Sequence, residues 1–328
     1  GLDITTGRLD GSKGTLVSSA TLTLRAGDVD HRDATLGADR LDLEATTLDN
    51  AGGRIIASGE GASRIKATTL GNAGGTLASN GDLALLAQAL DNRAGRIQHA
   101  GSGQLQVSAK TLLGNGGSVL SNGSFALDGA NLDLTAATAS ARRVDITADT
   151  LTTAGGTLTA TGEDALRLRV QGVLDNRGGS LASNGALDVS AQQLINAQGT
   201  LQGAGSGHST LAIGQALDNQ KGRILLGGAG TLTAASLSNL GGTVHAGGSA
   251  LVLGVDGRLD NGEQGLLSST GMMTLDADSL DNRHGTLVAG KDLMVTTAAG
   301  VGNSDGAMQA GERLQLQGNG LDNQRGTL

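Results

Sequence analysis

The stretch ALDNRAGRIQHAGSGQLQVSAKTL, residues 89 to 112, decides the fold. An Asp-Asn pair follows a Leu, a Gly and an Ile come at fixed distances after it, and apolar residues then alternate with polar ones. Variants return along the whole chain. Taking the Leu of each LDN-like tripeptide as an anchor places sixteen, at Leu9, Val29, Leu48, Leu70, Leu90, Leu113, Leu132, Leu151, Leu174, Leu194, Leu217, Leu237, Leu259, Leu280, Val301 and Leu321. Their mean spacing is about 21 residues, within the range of solenoid repeats.

Three columns run through the repeat. Two residues after the anchor stands Asn in twelve of sixteen units: Asn50, Asn72, Asn92, Asn115, Asn176, Asn196, Asn219, Asn239, Asn261, Asn282, Asn303 and Asn323. Five residues after it stands Gly in twelve, and seven after it an Ile, Leu, Met or Val in fifteen, Ala139 being the exception. Pairs such as Leu83 and Leu85, Leu105 and Val107, Phe125 and Leu127, Leu187 and Val189, and Leu314 and Leu316 then alternate with polar residues. A period of two places such pairs on one face of a strand, where a helix needs three or four. Asn80-Gly81, Asn122-Gly123 and Asn184-Gly185 read as corners that tolerate positive φ.

A strand-turn-strand-turn unit of this size cannot bury its own apolar face, so it stacks on copies of itself. The expected fold is all-β, a parallel β-helix of about 16 coils over residues 1–328, roughly 75 Å long at about 4.8 Å per coil. The Asn column predicts a ladder of stacked amides. The absence of Pro fits a chain whose N–H groups bond neighbouring coils.

Composition weighs against an enzyme. The chain has 56 Gly, no Cys, Trp or Tyr, and one aromatic residue, Phe125, where pockets usually use several. With 31 acidic and 23 basic residues, a net charge of −8 and no basic run, nucleic-acid binding has little support. No apolar run reaches the ~20 residues needed to span a bilayer. Absence of Cys suits passage across a membrane and an oxidising exterior.

The residue after the anchor alternates between Asp and something else: Asp49, Gly71, Asp91, Gly114, Asp133, Thr152, Asp175, Ile195, Asp218, Ser238, Asp260. Alternation separates carboxylates that would repel by about 1 to 3 kcal/mol one coil apart. Arg54 is expected to pair with Asp49, Arg93 and Arg96 with Asp91, Arg177 with Asp175 and Arg223 with Asp218, a structural role favoured over a catalytic array.

The segments LDNAGGRI (48–55), LDNRAGRI (90–97), LDNRGGSL (174–181), LDNQKGRI (217–224) and LDNRHGTL (280–287) resemble the haemagglutinin repeats of filamentous haemagglutinins and contact-dependent growth inhibition exoproteins. The resemblance covers nearly the whole chain. It implies a right-handed β-helical filament, exported from a Gram-negative bacterium through an outer-membrane two-partner secretion transporter and held at the cell surface. It also implies that residues 1–328 are an internal piece of a larger exoprotein. The expected role is a stalk; the alternative is an adhesin that itself binds a receptor or glycan, and a polysaccharide-cleaving β-helix enzyme ranks behind both.

No catalytic, metal or cofactor site is expected. His31, His99, His208, His245 and His284 are scattered, and no calcium-binding nonapeptide is present. Gly203–Gly207 reads as a corner, since it lacks the ending of a phosphate loop. Thr76, Thr157, Thr200, Thr243 and Thr286 form a flat Thr column, of the kind outward strand positions favour. One coil, 132–150, departs from the pattern and carries Arg142-Arg143, which reads as an irregular corner or as a bulge offering two guanidinium groups to an anion such as a sulfated glycan.

Overall fold

The computed structural model describes all 328 residues; every element is a strand and there is no helix. The chain divides into two compact units, Gly1–Thr161 and Gly162–Leu328. Each is a parallel β-solenoid, with about sixteen turns in all at about 20 residues per turn.

In the first unit each coil carries a long strand, such as Arg40–Asp49, and a short one, such as Arg54–Ala57. Each pairs in parallel with its equivalents one coil away. The anchors form one column, Leu9, Val29, Leu48, Leu70, Leu90, Leu112, Leu132, Leu151. The second unit repeats this from Leu174 to Leu321. Inward columns fill the core, and Phe125 lies 1% exposed between Leu105 and Val144. Ala139 takes its place in the inward column between Val119 and Leu158.

Two registers differ from the sequence reading. The sixth anchor is Leu112, not Leu113, which faces outward. This register gives Gly116 a φ of +64° and seats Gly117 against the Asn92 carbonyl, where a Cβ would also lie 2.9 Å from Asn92 Nδ2. In the thirteenth coil one extra turn residue moves the buried column from Leu266 to Leu267.

The turns also reassign the glycines. The residue four after the anchor has positive φ in all sixteen turns, yet only six of these are Gly; Ala94, Lys221 and His284 are among the rest. The recurrent Gly one position later is required for another reason. A Cβ on Gly95 would strike the Asn72 carbonyl oxygen and lie 2.6 Å from Asn92 Oδ1. The Asn-Gly pairs do lie at corners, without positive φ: Gly81 and Gly123 are seated against backbone carbonyls of the coil before. The corner amides Asn80 and Asn122 donate to Ser58 and Ala100 carbonyls at 2.7 and 2.9 Å.

Candidate functional site

The densest side-chain chemistry is the buried turn column. In the first unit Asn50 Nδ2 donates to Asn72 Oδ1, and Asn72 Nδ2 to Asn92 Oδ1, both at 2.7 Å. His31 stands one coil earlier, with Nδ1 2.7 Å from Asn50 Oδ1. In the second unit Asn176, Asn196, Asn219, Asn239, Asn261, Asn282, Asn303 and Asn323 are linked at 2.7–2.8 Å. Each amide also donates to the carbonyl of its own turn, as Asn219 does to Gly222. Buried amides left unpaired cost about 1 to 3 kcal/mol each, so coils joined by the ladder are tied to the next by more than strand bonds.

Asn115 does not belong to this column. With Leu112 as anchor the position is Gly114, and Asn115 is half-exposed, donating instead to Asp133 Oδ2 at 3.0 Å. Leu134 and Thr153 hold the next two places.

The Asp column forms turn caps. All ten Asp that follow an anchor accept the backbone N–H two residues on. Arg pairs with Asp where it also lies two residues on: Arg32, Arg93, Arg177 and Arg283, at 2.5–2.6 Å. Arg54, Arg96 and Arg223 make no such pair, because they start the short strands and point outward there. At two of the three places where Asp follows the anchor in adjacent coils, Arg spans both: Arg258 reaches Asp260 at 3.0 Å and Asp281 at 2.8 Å, and Arg32, paired with Asp30, lies 3.7 Å from Asp49. The Arg32 guanidinium lowers the Asp30 carboxyl to about 2, and those of Arg93 and Arg283 hold Asp91 and Asp281 below the usual range. A general acid needs the opposite shift.

The histidines are dispersed. His99 is buried with Nδ1 2.8 Å from Ser121 Oγ, and burial lowers its pKa. His208 and His245 bond Thr231 and Ser268 hydroxyls. Gly203 ends the strand Thr200–Gly203, and Ala204–Gly207 turn the corner after it. The outward Thr column is broken by Arg96, Arg223 and Leu266, so it offers no regular hydroxyl array.

The 132–150 coil is degenerate in sequence but regular in backbone: Arg143–Thr152 pairs with Ser124–Asp133 without a register shift. The degenerate coil keeps its place in the stack and the alternative, a bulge, is absent; small residues such as Ala139 and Ala141 fill its inward positions. Arg142 sits exposed at the corner and Arg143 begins the strand, neither in an ion pair. Arg143 shares a shallow hollow with Asp128 and Asp145.

These features define a structural repeat protein, a β-solenoid locked by side-chain ladders. Successive matches to the haemagglutinin repeat cover residues 1–60, 60–102, 100–163, 164–221, 206–254, 250–305 and 295–328, and the chain belongs to that family. Proteins of this family are secreted or cell-surface filaments with a structural role. No curated protein and no solved structure matches the chain. No helix is long and apolar enough to cross a membrane.

Proposed function

We propose that residues 1–328 are one repeat segment of a longer exoprotein, exported through an outer-membrane two-partner secretion transporter of a Gram-negative bacterium. The segment acts as a spacer that holds an adhesive or contact-dependent toxin-delivery region away from the producing cell. The observation that carries this reading is the buried Asn ladder, which fixes coil to coil while leaving short corners. Such a build supplies length and resistance to unravelling, and it spends its polar side chains on itself.

A second reading, in which the segment itself binds an anionic receptor such as a sulfated glycan, is supported by the unpaired guanidinium groups of Arg142 and Arg143. The neighbouring Asp128 and Asp145 oppose it. One experiment separates the two. The purified chain, shown folded by circular dichroism, is titrated onto intact bacteria and animal cells at two salt concentrations. The spacer reading expects no saturable binding; saturable binding abolished in Arg142→Ala/Arg143→Ala replaces it with the receptor reading.

A further inference from the structure

Asn-Gly pairs stand at Asn80, Asn115, Asn122, Asn184, Asn261 and Asn319. Such a pair carries a reaction of its own. The Gly amide nitrogen, once it has given up its proton, can attack the Asn side-chain carbon, and with no Cβ on the glycine nothing crowds the approach. A C–N bond forms and closes a cyclic succinimide, the Cγ–Nδ2 bond breaks, and Nδ2 takes up the proton and leaves as ammonia. Water then opens the ring at either carbonyl, which gives Asp or isoaspartate.

The folded corners treat these pairs differently. Gly116 N–H donates to the Thr135 carbonyl at 3.0 Å, Gly123 N–H to Ser121 Oγ at 3.1 Å, Gly185 N–H to Ser183 Oγ at 3.0 Å and Gly262 N–H to Asp260 Oδ1 at 3.2 Å. A bonded N–H holds its proton and its direction, and both must change before the nitrogen attacks. Gly81 N–H has no hydrogen-bond partner. The cause is local: Ser79, the counterpart of Ser121 and Ser183, donates its hydroxyl to the Gly81 carbonyl at 2.5 Å and takes nothing from the N–H.

Three of the pairs share the sequence Ser-Asn-Gly, at 79–81, 121–123 and 183–185, and in all three the Asn is exposed and the Gly buried. Exposure therefore does not separate them. Nor does the side-chain tether, since Asn80 and Asn122 both donate to a carbonyl of the coil before, at 2.7 and 2.9 Å. The partner of the Gly N–H does.

We infer that Asn80 is a site of spontaneous deamidation in the folded protein, and that a seryl oxygen on the following glycine protects Asn122 and Asn184. The product sets a carboxylate oxygen against the Ser58 carbonyl, where Asn80 Nδ2 had donated, and isoaspartate adds a carbon to the backbone of the corner. Two acceptors then face each other beside Asp82 and the Glu60 carbonyl against which Gly81 is seated, so the corner loosens. The site is independent of the spacer reading and adds to it a surface charge that grows as the protein ages.

The test is peptide mapping by mass spectrometry during incubation of the folded chain at mildly alkaline pH. Asn80 is expected to convert about fivefold faster than Asn122 and Asn184, the factor equivalent to one net hydrogen bond. Asn319, whose glycine N–H is also without a partner, serves as the reference. No conversion at Asn80 while Asn319 converts, or equal rates at Asn80 and Asn122, overturns the site. A ratio that persists in denaturant overturns the structural cause, because the neighbours Asp82 and Ser124 would then set it. Ser121→Ala and Ser183→Ala free the protected N–H groups and are expected to accelerate Asn122 and Asn184 respectively about fivefold, with Asn80 unchanged. Unchanged rates in both variants, each shown folded by circular dichroism, also overturn it.

Discussion

Gly222→Ala tests the ladder most directly. A Cβ at Gly222 would lie 2.6 Å from Asn219 Oδ1 and 3.0 Å from Asn196 Nδ2, and closer still to the Asn196 carbonyl oxygen. Two of these atoms belong to the ladder and one to backbone, so no side-chain rotation clears the space. Overpacking costs about 1 to 3 kcal/mol, and the Asn196–Asn219 and Asn219–Gly222 hydrogen bonds contribute about 1 kcal/mol each, so the expected loss is about 3 to 5 kcal/mol. The neighbouring Lys221→Gly should behave oppositely. Lys221 has a φ of +54°; relief of about 1 kcal/mol of strain there offsets the added freedom of the unfolded chain, leaving stability unchanged or slightly higher. Repeat arrays open locally, so the assay is hydrogen exchange at amides that bridge these coils, Asn219 N–H to Ser238 and Thr243 N–H to Gly222. A Gly222→Ala protein that keeps those amides within about 1 kcal/mol of the parent would refute the claim that close approach, and not turn conformation, selects the glycine.

Asn219→Ala should cost about 2 to 4 kcal/mol, because it leaves Asn239 Oδ1 without its donor, whereas Asn115→Ala should cost under about 1 kcal/mol; comparable losses in thermal unfolding would contradict the Leu112 register. His99 predicts a pH dependence. Unfolded, it titrates near 6.5, while burial holds the folded value lower, so the unfolded state binds more protons as pH falls below 6.5 and stability drops until the folded value is passed. Melting temperatures at pH 7.5 and 5 should show this drop, reduced in His99→Gln; an unchanged drop would remove His99 as its source.

The period, the strand alternation and the Asn column were legible in sequence because each is a spacing, and stacking converts spacing directly into contact. Register was less so wherever two Leu stand side by side. Leu112-Leu113 and Leu266-Leu267 each offer two phases, and only the fit of the following turn decides between them. Positive φ was hidden because Lys221 and Arg325 occupy it as well as Gly241. Arg93 and Arg54 looked equivalent beside their Asp residues, yet two residues keep Arg93 in the turn while five carry Arg54 onto the next strand.

Ladder partners lie 20, 21, 22 or 23 residues apart in sequence, while the bond between them stays at 2.7–2.8 Å. Extra residues are absorbed at the corners, and each Asn brings the chain back into phase before the next coil begins. Errors of length therefore do not accumulate. A gene built from such units can lose, gain or exchange whole coils by recombination between repeats, and the product still meets its neighbour in step.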